Sequence, residues 1–151
     1  MSAVSLACVI DDDPIFVFAT RKLMEMSGFA DQIIVYRNGQ EALNGLADRL
    51  RDGRPLPDVI LLDLNMPVLD GIQFLERFSQ WELPVQLHLY LVTSSINPED
   101  IKMANSFSVV RNYINQTTFA GYYRGACGRA APSQGIVQQY EGIYRPYKGW
   151  P

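Results

Sequence analysis

Histidine occurs once in this chain, at position 88, and cysteine twice, at positions 8 and 127. A hydrolase built on serine and histidine would need that histidine beside a nucleophile. His88 instead lies in the apolar run LHLYLV, and no G-x-S-x-G turn occurs. His88 is therefore read as a strand residue, and a histidine phosphotransfer role is excluded unless His88 itself serves. Two cysteines so far apart make neither a disulfide framework nor a metal cluster, and both are expected to be free thiols. No stretch approaches the roughly 18 uninterrupted apolar residues of a membrane helix. The opening MSAVSLACVI has no basic start and runs directly into carboxylates, so no secretory signal or membrane partner is expected and the setting is read as cytoplasmic. Cations are also in short supply: 13 Lys and Arg against 16 Asp and Glu leave a net charge of −3, which argues against DNA as a partner.

What remains is ordinary for a globular protein of one domain. Of the 151 residues, 48% are hydrophobic and 19% charged, enough to bury a sizeable core. The charge is uneven. Residues 1–119 hold nine Lys and Arg against fifteen Asp and Glu; residues 120–151 hold four (Arg124, Arg129, Arg145, Lys148) against Glu141 alone. That tail also carries five of the eight tyrosines and six of the eleven glycines.

In the acidic body, short β-branched and aliphatic runs alternate with stretches of helical spacing. Residues 6–10, 32–36, 59–62, 87–92 and 109–114 read as strands, mostly as continuous apolar runs of the kind covered on both faces. Phe16, Ala19, Leu23 and Met26 predict a helix stopped by Gly28. Ala42, Leu43, Leu46, Ala47 and Leu50 predict a second, and Ile72, Phe74, Leu75 and Phe78 a third. Asn97-Pro98-Glu99-Asp100 announces a fourth, with a cap, a proline in the first turn and acids behind it. Strict alternation implies an α/β fold, a doubly wound parallel sheet with right-handed crossovers and helices on both faces.

Ligands of such sheets sit at the carboxyl ends of the strands. The acids 11–13 end the first strand and Asp63 ends the third, so they are expected to meet at one edge. Shared between a hard cation such as Mg²⁺ and its oxygen ligands, these like charges no longer repel. Asp13 has a plainer reading as the cap of a helix beginning at Pro14.

These residues bring a family into view. VIDDDP, then LLDLNMPVLDG, then LVTSS, in this order and on these strands, resemble the receiver domain of bacterial two-component response regulators over about residues 4–117. The resemblance implies a flavodoxin-like sheet of five strands in the order 2-1-3-4-5. It implies phosphorylation of Asp63 by a histidine kinase or phosphotransfer protein. Mg²⁺ would be held by Asp12, Asp63 and the Asn65 carbonyl, with Asp11 acting mostly through water. Thr93 and Tyr113 would be the switch residues, signalling to a downstream protein from a monomer or weak homodimer. The bottom-up chemistry agrees: a carboxylate can attack a phosphoryl donor provided a cation neutralises the equatorial oxygens. The domain is expected at 4–119, a phosphoacceptor rather than an enzyme in the ordinary sense.

Two departures from the family stand out. Where receivers carry a lysine and then a proline after the fifth strand, YINQTT has Gln116 and Thr117, and a glutamine amide brings no charge. The alternative reading is thus a receiver-like scaffold that works without phosphorylation. From Phe119 a helical spacing persists, but Gly121, Gly125 and Gly128 each weaken it by about 1 kcal/mol relative to alanine, so the fifth helix is expected to be weak. Residues 120–151 form a Gly- and Tyr-rich tail too short for a DNA-reading output domain, and both an unordered tail and a docking segment stay open. An aspartate-nucleophile phosphatase is a further rival, resembled at LLDLN. It would place a general acid two residues past the nucleophile, where this chain has Asn65.

Overall fold

Strand and helix alternate without exception along the described chain: β1 (Val4–Ile10), α1 (Pro14–Ser27), β2 (Ala30–Tyr36), α2 (Gly39–Arg51), β3 (Val59–Leu62), α3 (Gly71–Phe78), β4 (His88–Thr93), α4 (Pro98–Asn105) and β5 (Val110–Asn115). The computed structural model describes residues 4–93 and 97–115, with positions 93 and 112–115 described in backbone alone. The expected fifth helix, Gln116 and the tail 120–151 lie outside the described residues.

The five strands form one parallel sheet in the order β2-β1-β3-β4-β5, as expected. Burial follows position in that order. All four residues of β3 and six of the seven of β1 are buried, whereas β2 at the edge is buried nowhere along its length, because only inner strands are covered on both faces. Two cores result. One gathers Ile10, Ile60, Leu62, Phe74 and Leu91 beneath α2, α3 and α4; the other gathers Val9, Leu61, Tyr90 and Val92 against Phe16 and Leu23 of α1.

The caps read from the sequence are present. Asp13 Oδ1 accepts the Ile15 N–H at 2.9 Å, and Asn97 Oδ1 accepts the Glu99 N–H at 3.1 Å. Gly28 ends α1 with a left-handed φ of 62°. The apolar face expected for α1 needs one correction. Met26 is 65% exposed, while Thr20 and Met24 take up core positions beside Phe16 and Leu23. At 100° per residue, a stripe centred on positions 16, 20 and 23 leaves position 26 on the flank.

Cys8 is a free thiol buried in β1, and burial pushes its ionisation far up. Cys127 lies outside the described residues. Among the described residues no helix is long and apolar enough to cross a membrane.

Candidate functional site

The parallel register decides which side chains meet. Ile10 pairs with Leu62 on β3 and with Tyr36 on β2, so the residues that follow, Asp11 and Asp63, leave the sheet side by side. The backbone fixes both: the Asp63 N–H donates to the Ile10 carbonyl at 2.9 Å and the Asp11 N–H to the Tyr36 carbonyl at 3.1 Å. One carboxylate oxygen from each of Asp11, Asp12 and Asp63 lies within 4.8 Å of the others. Asp11 and Asp63 are buried, and Asp12 is exposed.

Each carboxylate has a distinct local setting. Asp11 Oδ1 accepts the Asp13 N–H at 2.8 Å, folding the chain tightly into α1. Asp13 itself is the cap, as its plainer reading has it, and points its carboxylate at Ile15. Asp63 Oδ1 accepts the Asn65 N–H at 3.3 Å, drawing the start of the β3–α3 loop towards the acids. Burial pushes the Asp11 carboxyl up to about 7, opposed by the Asp13 hydrogen bond and reinforced by the charges of Asp63, Asp12 and Asp13. Such a set is short of positive charge and rich in hard oxygen, which suits a divalent cation.

The loop from Leu64 to Gly71 is tied down at both ends. The Gly71 N–H donates to the Leu64 carbonyl at 3.0 Å and the Gly39 N–H to the Leu69 carbonyl at 2.9 Å. Asp70 and Gln73 form a reciprocal capping box at the start of α3. Met66-Pro67 and Asp70-Gly71 supply turn chemistry to this loop, and two of its features go beyond that. Gly71 is packed against the Asp63 backbone, and Val68 holds a φ of 71° while 81% exposed. The D-G pair hinted at the first; nothing in the sequence signals the second, since a β-branched residue avoids that conformation.

Thr93 closes β4, opposite Asn115 on β5, and Tyr113 pairs with Leu91. Thr93 thus stands at the carboxyl end of the strand next to β3, and Tyr113 toward that of the strand beyond it. Gln116 lies outside the described residues. His88 is at the other end: it pairs with Val59 at the start of β3, so it shares no site with Asp63.

The family model for the response regulator receiver domain matches residues 7–113. The chain belongs to the response regulator receiver family of two-component signalling. Among curated relatives, this receiver is 28% identical over 111 residues to the "Probable methanogenesis regulatory protein FilR2" of Methanothrix harundinacea, covering 74% of this chain and 72% of that one. It is 36% identical over 80 residues to the virulence-factor transcription regulator BvgA of Bordetella pertussis, covering 52% of this chain but 34% of BvgA. The receiver thus corresponds to about a third of BvgA. Among solved structures, a two-component response regulator from Cytophaga hutchinsonii matches with TM-score 0.67 and 26% identity over 80% of this chain and 95% of that one. The phosphorylated cyanobacterial phytochrome response regulator RcpA matches with TM-score 0.73 over 95% and 96%, and at 20% identity shares the fold.

Proposed function

We propose that this receiver takes a phosphoryl group on Asp63 from a histidine kinase or phosphotransfer protein, in a Mg²⁺-dependent reaction, and reports it through contacts with a downstream protein. The observation that supports this most is the convergence of Asp11, Asp12 and Asp63 oxygens within 4.8 Å at the carboxyl edge of the sheet. Asp63 is the nucleophile: one of its carboxylate oxygens attacks phosphorus, and Oδ1 accepts the Asn65 N–H. Asp12, Asp63 and the Asn65 carbonyl would hold the cation, with Asp11 acting mostly through water. When bound, Mg²⁺ neutralises charge on the transferring phosphoryl group. A manganese-bound form of the response regulator Rcp1, a neighbour in fold, is in keeping with a divalent ion at this edge. Thr93 follows the phosphoryl group and Tyr113 carries the change to β5. Any turnover is confined to the chain's own phosphorylation and dephosphorylation, and the setting is cytoplasmic.

The test is incubation with phosphoramidate, with and without Mg²⁺, followed by intact-mass measurement. One phosphoryl mass should appear, vanish on chelation and be absent from Asp63→Asn. A modification that survives Asp63→Asn overturns the assignment. No modification of the parent under any condition would favour the scaffold reading that Gln116 keeps open.

A further inference from the structure

Helix α2 touches its neighbours closely at its two glycines. A Cβ on Gly39 would stand 2.7 Å from the Leu69 carbonyl oxygen and 3.2 Å from that of Asp70, and the Gly39 N–H already donates to Leu69. A Cβ on Gly45 would overlap the Cε1, Cζ and Oη atoms of Tyr36. Six residues, about 9 Å along the helix axis, separate the two contacts. The helix therefore bears at its first residue on the β3–α3 loop and in its middle on the last residue of β2.

The Tyr36 ring is half-buried against the core that holds Cys8, Ala42 and Leu46, with its hydroxyl beside the Arg49 guanidinium. Arg49 is itself held, its Nη1 donating to the Pro55 carbonyl at 2.9 Å. Gly45 and Arg49 are four residues apart and share one face of α2. The ring thus fills a slot with bare backbone for a floor and a fixed cation at its end. Alanine would favour the helix at position 45; what glycine supplies there is room for the ring. The backbone of the same tyrosine reaches the acidic cluster, because its carbonyl accepts the Asp11 N–H at 3.1 Å. At the other bearing, the β3–α3 loop carries Asn65, whose N–H donates to Asp63. The seat of α2 sets these two halves of the cluster relative to each other.

We propose that Tyr36 is a positioning residue for the divalent-cation site: its ring, wedged into the slot at Gly45, fixes the end of β2 and, through the Tyr36 carbonyl, the place of Asp11. Tyr36 acts through that backbone bond and not by touching the cation. With the ring lost or displaced, the end of β2 shifts against α2 and takes Asp11 with it, while Asp63 stays on the Ile10 carbonyl. The loss falls on metal affinity and not on the phosphoryl step. Groups that orient metal ligands typically carry about 10- to 100-fold in affinity. The inference rests on the reading of Asp11, Asp12 and Asp63 as a Mg²⁺ site and names what aligns it.

The test is calorimetry of Mg²⁺ binding to the full chain, beside initial rates of phosphoryl mass gain from phosphoramidate at saturating Mg²⁺. Tyr36→Ala and Gly45→Ala should each raise the Kd for Mg²⁺ about tenfold. Combined, they should stay near tenfold and not reach about a hundredfold, because once the ring is gone a Cβ at position 45 has nothing to displace. Tyr36→Phe keeps the ring in its slot and should bind within about twofold of the parent. At saturating Mg²⁺ every variant should gain phosphoryl mass within about twofold of the parent rate. Phe78→Leu loses packing in the same core; it should lower the urea midpoint yet leave the Kd within about twofold, which separates seating from general loss of stability. If Tyr36→Ala does not fold, Gly45→Ala and Tyr36→Phe decide. The positioning role is overturned, with the metal reading intact, by parent-like affinity in Tyr36→Ala or Gly45→Ala, by effects that multiply in the double variant, or by equal weakening in Tyr36→Phe or Phe78→Leu. A parent that binds no Mg²⁺ ends the metal reading and this inference with it.

Discussion

A Cβ placed on Gly71 would stand 2.5 Å from the carbonyl oxygen of Asp63 and 2.7 Å from the Leu64 Cα. The first residue of α3 therefore packs directly onto the backbone of the candidate nucleophile, and the Gly71 N–H bond to Leu64 at 3.0 Å leaves no slack to move away. Gly71→Ala forces the β3–α3 turn apart. The expected loss in urea denaturation is about 1 to 3 kcal/mol, typical of overpacking against backbone. Because the turn carries Asn65, the same variant should weaken Mg²⁺ binding measured by calorimetry. Unchanged stability would mean that the turn relaxes freely.

Two neighbouring acids can be separated by what they do. Asp12 is one of the three converging carboxylates, whereas Asp13 accepts the Ile15 N–H and caps α1. Asp12→Asn should weaken Mg²⁺ binding at least about tenfold with little change in stability. Asp13→Ala should cost about 1 kcal/mol of stability and leave most Mg²⁺ affinity intact. The reverse pattern would exchange the two roles.

The pH dependence follows from Asp11. Its carboxyl is pushed from the ordinary 3.8 to about 7 in the folded chain. Below about pH 4 folded and unfolded chains both hold the proton; between there and about pH 7 only the folded chain does. This group's contribution to stability is thus present at acidic pH and lost as pH rises towards 7. In chelator, the parent should lose stability relative to Asp11→Asn between pH 5 and about pH 8, as read by denaturant midpoint. Mg²⁺ added above about pH 7 should stabilise the parent more than the variant, since the bound ion compensates the ionised cluster. A constant difference between parent and variant across that range would refute the burial argument.

The parallel sheet and the placing of Asp11, Asp12 and Asp63 at one edge were legible because both follow from alternation, whereas the order 2-1-3-4-5 came from the resemblance to receivers. A strand, a helix and a parallel strand repeated along a chain put every strand's carboxyl end on one edge, whatever the side chains. Boundaries were less legible: β2 extends back to Ala30 through Asp31, where an edge strand tolerates charge that a central strand would not. Met24 and Thr20 in the α1 core show the limit of a stripe drawn from apolar letters alone, since a threonine was not counted as core and is fully buried. A groove lined by Asp11, Val17, Val35 and Arg37 was invisible for a different reason: it joins α1 to the β2–α2 turn, and no local pattern links those segments.

Val68 offers a test of strain beside the site. A valine at φ 71° forgoes the preferred conformations of a β-branched residue, at a cost of order 1 to 3 kcal/mol, and its exposed side chain returns little packing. Asparagine tolerates that region without glycine's extra freedom in the unfolded chain. Val68→Asn should therefore raise the urea midpoint, corresponding to about 1 kcal/mol. A lowered midpoint would show that the valine side chain contributes contacts that outweigh the strain.

The last prediction concerns the charge that Gln116 does not bring. In the family pattern a lysine at this position pairs with the phosphoryl oxygens and helps draw the switch residues, proposed here to be Thr93 and Tyr113, towards the phosphorylated arrangement. A charge-assisted contact is worth about 1.5 to 3 kcal/mol and a neutral one, such as an amide offers, about 0.5 to 1.5. The difference is on the order of 1 to 2 kcal/mol, or roughly tenfold in the balance between two states. Gln116→Lys should therefore enlarge the phosphorylation-dependent change in amide exchange across β4 and β5, while the mass gain at Asp63 should already appear in the parent. Equal responses in parent and Gln116→Lys would mean that the charge is supplied from elsewhere or not needed. Truncation after Phe119 then decides between the two, because it removes Arg124, Arg129, Arg145 and Lys148: a response that drops on truncation and returns with Gln116→Lys identifies the basic tail as the source.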